Sequence, residues 1–106
     1  MKHFLLFYTY TSDRFLERRT QYREAHLKYA WESQERGELL LGGAISDPLD
    51  GGLLVFRAES PDVAAEFARS DPYVTNGLVT NWRVREWLTV VGTDAAAPLR
   101  PASLTR

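Results

Sequence analysis

The sequence predicts an α+β domain with the element order β-α-β-β-α-β, and three observations carry that expectation. His3 to Tyr10 and Leu78 to Val91 are rich in aromatic and β-branched residues, the composition of strands. Asp13 to Arg36 repeats its apolar residues at helical spacing. Between them, Glu38 to Ile45 and Gly52 to Ala58 are two short apolar runs flanking the turn formers Ser46-Asp47-Pro48-Leu49-Asp50-Gly51.

Each element has a local reason. The first strand ends at Thr11, Ser12 and Asp13, whose side chains are expected to cap the long helix, and Gly37 supplies the left-handed residue that stops it. The two runs after it should pair as an antiparallel hairpin. Ser60-Pro61-Asp62 offers a cap, a proline at the first helical position and an acid in the first turn. The short second helix would turn Val63, Ala64, Phe67 and Ala68 inward. Asp71-Pro72 ends it, because the residue before proline avoids the α region, and Asn76-Gly77 marks another turn. In the last strand Trp82, Val84, Leu88 and Val90 share one face with Glu86, and Arg83, Arg85, Trp87, Thr89 and Val91 share the other. This order is the ferredoxin-like split βαβ arrangement, an antiparallel sheet with helices on one face. The other face then carries apolar side chains that a second copy would cover, so a homodimer is expected.

With 106 residues, 44% of them apolar and 25% charged, the chain has the make-up of one globular domain. Residues 1–92 are expected to form it, and the Ala- and Pro-rich segment 93–106 a tail that is either flexible or packed on a neighbour. A net charge of −1 gives no basic stripe, which argues against nucleic acid and acidic membrane as partners. The absence of cysteine removes thiol nucleophiles, disulfides and Cys-based metal sites and fits a cytoplasmic protein. The apolar run Phe4 to Tyr8 is too short to span a bilayer and lacks a small-residue cleavage site. Two histidines without an adjacent acid make no metal pattern, and there is no Gly-rich phosphate loop, serine elbow or dinucleotide fingerprint. No metal or other cofactor is expected.

One histidine needs a partner. On a wheel of about 100° per residue, Phe15, Tyr22, Tyr29, Ala30 and Ser33 fall around His26, while Glu17, Glu24, Lys28 and Glu35 fall opposite. His26 therefore faces the interior, where an unbonded imidazole costs on the order of 1–3 kcal/mol. It is either a core histidine satisfied by a backbone carbonyl or tyrosine hydroxyl, or part of a site. Asp71, set at a chain turn, is a candidate partner and equally a cap for a turn over Pro72 to Asn76. Arg23 lies about 60° from His26 on the same wheel, where it either holds an anionic substrate or covers apolar neighbours. Tyr73 could donate its hydroxyl to a ligand or simply pack. Ser46 could add a hydroxyl after the second strand or serve only its turn. Trp31, Trp82 and Trp87 read as core or interface anchors.

Arg23-Glu24-Ala25-His26-Leu27, Gly42-Gly43, Asp71-Pro72-Tyr73, Gly77 and the closing Trp-rich strand together resemble the YCII-like family of small dimeric α+β barrel proteins. The resemblance runs to about Val91. It implies a ferredoxin-like subunit that dimerises through its sheet, with an active site built on a histidine and an aspartate, here His26 and Asp71. One branch of the family removes chloride from chlorinated hydroxyhydroquinones. This chain has Gly43-Ala44 where a Gly-Pro pair often follows the second strand, a difference at the pocket rim.

The expected function is acid–base chemistry without a cofactor, of lyase, isomerase or dehydrochlorinase type, on a small aromatic or cyclic oxygenated molecule. Asp71 would fix one ring nitrogen of His26 while the other moves a proton. Arg23, Tyr73 and Ser46 would bind the substrate. The alternative is a ligand-binding or assembly module that keeps the pocket and catalyses nothing.

Overall fold

A computed structural model describes residues 1–104. Its elements are β1 (Lys2–Tyr10), α1 (Phe15–Glu35), β2 (Leu39–Ile45), β3 (Gly51–Ala58), α2 (Asp62–Ser70), the single turn α3 (Pro72–Thr75) and β4 (Val79–Trp87). The strands form one antiparallel sheet in the order β2-β3-β1-β4. This is the expected ferredoxin-like arrangement, with α3 inserted between α2 and β4.

Side-chain alternation along the strands sets the core. Phe4, Leu6 and Tyr8 of β1 point to one face, where they meet Leu54 and Phe56 of β3 and the α2 residues Ala64, Phe67 and Ala68. Trp82 and Val84 of β4 pack on that same face opposite Tyr8 and Leu6. α1 adds buried Phe15 and Ser33, with Tyr22, Tyr29 and Ala30 half-buried, which is the inward stripe read from the wheel. The opposite sheet face, with half-buried Leu5, Phe7, Leu53 and Val55, carries no helix; Arg83 lies over the Phe7 ring at 4.6 Å.

Gly37 ends α1 with φ +81°, and its amide donates to the Gln34 carbonyl while that of Glu38 donates to the Ser33 carbonyl. That pair of bonds is a Schellman motif, which requires the left-handed residue. The start of α1 corrects the sequence reading. The boundary residue is Arg14, itself left-handed at φ 52°, and no side chain caps the helix. The Thr11 hydroxyl instead accepts from the Asp13 amide within its own turn, a local bond that competes with capping. α2 begins at Asp62 with Pro61 as its boundary residue and no side-chain cap, one position later than read from sequence; the Ser60 hydroxyl accepts from the Asp62 amide at 3.3 Å.

β4 also ends sooner than the pattern suggested, at Trp87 rather than Val91. Trp87 pairs with His3 at the very start of β1, so the next residues have almost no strand left to bond. The chain folds back on itself there. The Ala97 amide donates to the Thr89 carbonyl, the Leu99 amide to the Val90 carbonyl, and the Thr89 hydroxyl bonds His3 Nδ1 at 2.7 Å. Residues 105 and 106 of the expected tail lie outside the described residues.

One glycine is fixed by space. A Cβ on Gly51 would stand 2.6 Å from the Tyr8 carbonyl oxygen, a backbone atom held by the sheet, whereas a Cβ on Gly43 would meet nothing within 4 Å. Gly51→Ala is therefore expected to cost about 1–3 kcal/mol of stability, and Gly43→Ala to stay within about 0.5 kcal/mol of wild type. Denaturant melts of the two variants check this; equal midpoints would contradict the close approach.

Candidate active site

The site is assembled where α1, β1 and the α2–α3 junction meet. Pro72 holds Asp71 in extended backbone, φ −64° and ψ 126°, so the chain leaves α2 and starts α3 at that residue. The Asp71 carboxylate is 0% exposed and receives three donors. Oδ1 accepts from the Tyr73 amide at 3.0 Å and lies 2.7 Å from His26 Nδ1, and Oδ2 accepts from the Tyr8 hydroxyl at 2.7 Å. Both sequence readings of Asp71 hold: it caps α3 and it meets His26.

Facing a carboxylate that can only accept, His26 Nδ1 carries the hydrogen, which leaves Nε2 across the ring with a lone pair in the neutral imidazole. Aromatic contacts fix the plane of that ring. Tyr73 stacks on His26 at 3.8 Å and 8°, Phe15 meets Tyr73 edge-on at 6.2 Å, and Tyr10 stacks on Phe15 at 4.0 Å. The His26 side chain is 15% exposed, and that remaining surface lies on the wall of a cavity of about 330 Å³.

The cavity has two unlike sides. His26, Tyr73, Tyr8, Tyr10, Arg19 and Arg23 make the polar side. The apolar lining comes from Leu27 and Trp31, further along the α1 row of Arg19 and Arg23, and from Leu39 and Leu41 of β2, with the bare backbone of Gly42 and Gly43 thinning the β2 wall.

Of the residues singled out from sequence, His26, Arg23 and Tyr73 line this cavity, and Asp71 sits directly behind His26. Ser46 does not. It is exposed in the turn beyond Ile45, and the cavity wall stops at Ala44. Of the tryptophans, Trp31 is 62% exposed at the cavity, Trp82 packs on the core and Trp87 is 49% exposed. Sequence reasoning missed Tyr8, Tyr10 and Arg19. The signals were present, since Tyr8 shares the inward parity of Phe4 and Leu6 and needs a partner for its hydroxyl, and Arg19 stands one turn before Arg23.

The tyrosines around Asp71 are held neutral. Burial pushes the Tyr8 hydroxyl far above its ordinary value of 10.0, and the Asp71 charge pushes it further. Burial raises Tyr10 to about 12 against the opposing pull of Arg19 and Arg23. Tyr29 and Tyr73 are raised by burial as well, with Arg23 the main opposing charge at Tyr73. A raised folded-state value means the stabilisation is complete below pH 10.0, where the unfolded chain is still protonated, and is lost as pH climbs through about 12. An alkaline titration should therefore show tyrosinate absorbance at 295 nm rising together with loss of far-UV ellipticity, above pH 10.0. Independent ionisation of all tyrosines near pH 10.0 with the fold intact would contradict it.

Among the described residues no group of three or more His, Cys, Asp or Glu is arranged to hold a metal ion, and no helix is long and apolar enough to cross a membrane.

The model of the YCII-related domain matches residues 2–88. The chain belongs to the YCII-related family. Among solved structures, this YCII-related chain is similar to 5-chloro-2-hydroxyhydroquinone dehydrochlorinase (TftG) from Burkholderia phenoliruptrix AC1100, in complex with 2,5-dihydroxybenzoquinone. The TM-score is 0.69 and the identity 24%, over 82% of this chain and 94% of the other. It is also similar to a NIPSNAP family protein from Agrobacterium tumefaciens, with TM-score 0.53 and 19% identity over 92% and 97% of the two chains. At these identities the likeness establishes the shared fold. A comparison with curated proteins finds no match.

Proposed function

We propose that this protein is an acid–base enzyme in which His26 and Asp71 move a proton on a small aromatic or cyclic oxygenated molecule. The observation that carries the reading is the 2.7 Å contact between a fully buried Asp71 and a His26 whose exposed edge opens on a cavity. A carboxylate behind an imidazole fixes its tautomer and stabilises the imidazolium that forms when Nε2 takes a proton. The electron pair left on the substrate then relocates within its ring, and His26 returns the proton at another ring atom, giving isomerisation; or the pair expels a leaving group as an anion and His26 gives the proton up to water, giving net loss of the proton and that group. The cavity lies at the small end of the range for ligand sites of about 300–1,000 Å³, which suits a single ring system. Arg23 and Tyr73 sit on its wall to bind the substrate. The structural neighbour in complex with 2,5-dihydroxybenzoquinone supports oxygenated rings as the first class to try. The reading includes a homodimer in which the helix-free sheet face, with Leu5, Phe7, Leu53 and Val55, is covered by a second copy.

The test is turnover of hydroxylated and chlorinated hydroquinones by the wild type and by His26→Gln, followed by loss of substrate absorbance. Product formation that depends on His26 supports the reading. A wild type that binds these rings and forms no product overturns it in favour of a binding module.

A further inference from the structure

Charge is distributed unevenly around the cavity. The chain carries a net charge of −1, yet two guanidinium groups, Arg19 and Arg23, line the cavity, and no Asp or Glu does so among the described residues. Arg14, Arg18, Arg36 and Arg69 each pair with a carboxylate, whereas Arg19 and Arg23 pair with none among the described residues. Four residues apart on α1, they present their side chains on one face, one turn above the other. Arg19 is further held by lying over the Phe15 ring at 5.7 Å. Guanidiniums on a cavity wall with no carboxylate beside them are donors available to an oxygen anion.

A second observation comes from the same polar side of the cavity. The Tyr73 hydroxyl is buried beside the Arg23 guanidinium, which can only donate to it, and its own hydrogen has no acceptor, although Tyr73 lines the cavity. A buried hydroxyl hydrogen left unbonded costs on the order of 1–3 kcal/mol, so a ligand oxygen that accepts from it recovers that loss. Tyr10 brings a second phenol to the same end. Beyond this polar end, Leu27, Trp31, Leu39 and Leu41 offer apolar surface and no charge.

We infer that the cavity selects a flat apolar ring carrying an oxygen-centred anion, a carboxylate or a phenolate, with Arg19, Arg23 and the Tyr73 hydroxyl as the groups that hold the anion. The inference rests on the proposed use of this cavity as the substrate site and names the charge class of that substrate. The ring lies against Leu27, Trp31, Leu39 and Leu41, and the anion sits at the end of the cavity held by Arg19, Arg23 and Tyr73. Arg19 and Arg23 are specificity residues here, distinct from the proton-moving pair.

Calorimetric binding of 2-naphthoate and its neutral counterpart 2-naphthamide, and of 4-nitrophenolate and nitrobenzene, tests this on the intact protein. Each anion is matched to an uncharged ring, so the comparison in the wild type alone already decides. The expected result is that at least one anion binds about tenfold or more tighter than its neutral partner. Preference for naphthoate assigns a carboxylate and preference for nitrophenolate alone assigns a phenolate. Arg19→Gln and Arg23→Gln should each remove most of that preference while leaving the neutral ring within about twofold, and Tyr73→Phe should weaken the anion several-fold. Binding is read here without turnover, so failure of this inference is distinguishable from failure of the acid–base reading. Equal binding of charged and neutral rings, no saturable binding of any of the four, or a preference that survives loss of both arginines would overturn it.

Discussion

Replacing Asp71 with alanine is expected to cost the fold about 3–5 kcal/mol, the range seen when one partner of a buried charged network is removed. The reasons can be assigned group by group. The Tyr8 hydroxyl is buried and donates to Asp71 Oδ2, so it would be left as an unbonded donor in the core. The Tyr73 amide would lose its cap at the start of α3. Each such loss is worth about 1–3 kcal/mol, and the vacated carboxyl leaves a void besides. His26 adds little to the total, because its exposed edge on the cavity lets its ring find water. Asp71→Asn keeps the volume and one acceptor and should cost less than half as much. For a domain of this size each kcal/mol lowers the melting temperature by about 4–8 °C. Thermal melts of the two variants therefore give a large, graded effect. A Tm for Asp71→Ala within a few degrees of wild type would contradict the three-donor network.

His26→Gln should do the reverse, sparing the fold and slowing the turnover that the acid–base reading proposes. Asp71 keeps its bonds from Tyr8 and Tyr73 in that variant, and the glutamine side chain can fill part of the ring's place beside Tyr73. Stability should fall by no more than about 1 kcal/mol. A positioned general base typically contributes about 10²–10⁴-fold to rate, and glutamine cannot accept the proton, so kcat should drop by that factor. Kinetics and melts on the same preparation read both. A large Tm loss with turnover retained would make His26 a structural residue and sink the acid–base reading.

How far the sequence reaches is clearest at the site itself. His26 was legible because one face of a long helix repeats at helical spacing, and that face did turn inward with Phe15, Tyr29 and Ser33. Asp71 was legible because an acid before proline marks a break in the chain. The contact between them was not, since it joins residues 45 apart in sequence through the packing of α1 on the α2–α3 junction. Tyr8 escaped notice because a strand aromatic reads as core whether or not its hydroxyl is used. Ser46 was misplaced because alternation says which side of β2 a residue takes but not where the chain turns away from the cavity. The cap of α1 failed because the Thr11 hydroxyl had a nearer partner in its own turn.

The sequence by itself determined the element order, the inward faces of α1 and α2 and the stop at Gly37, because these follow from periodicity and local backbone chemistry acting over a few residues. Tertiary structure alone decided where β4 stops, which depends on β1 supplying a partner, and how the polar groups combine. Tyr8 from a strand, His26 from a helix and Asp71 from a helix junction meet because burial leaves Tyr8 and Asp71 no water to bond with, and close packing offers them one another and the inner edge of His26.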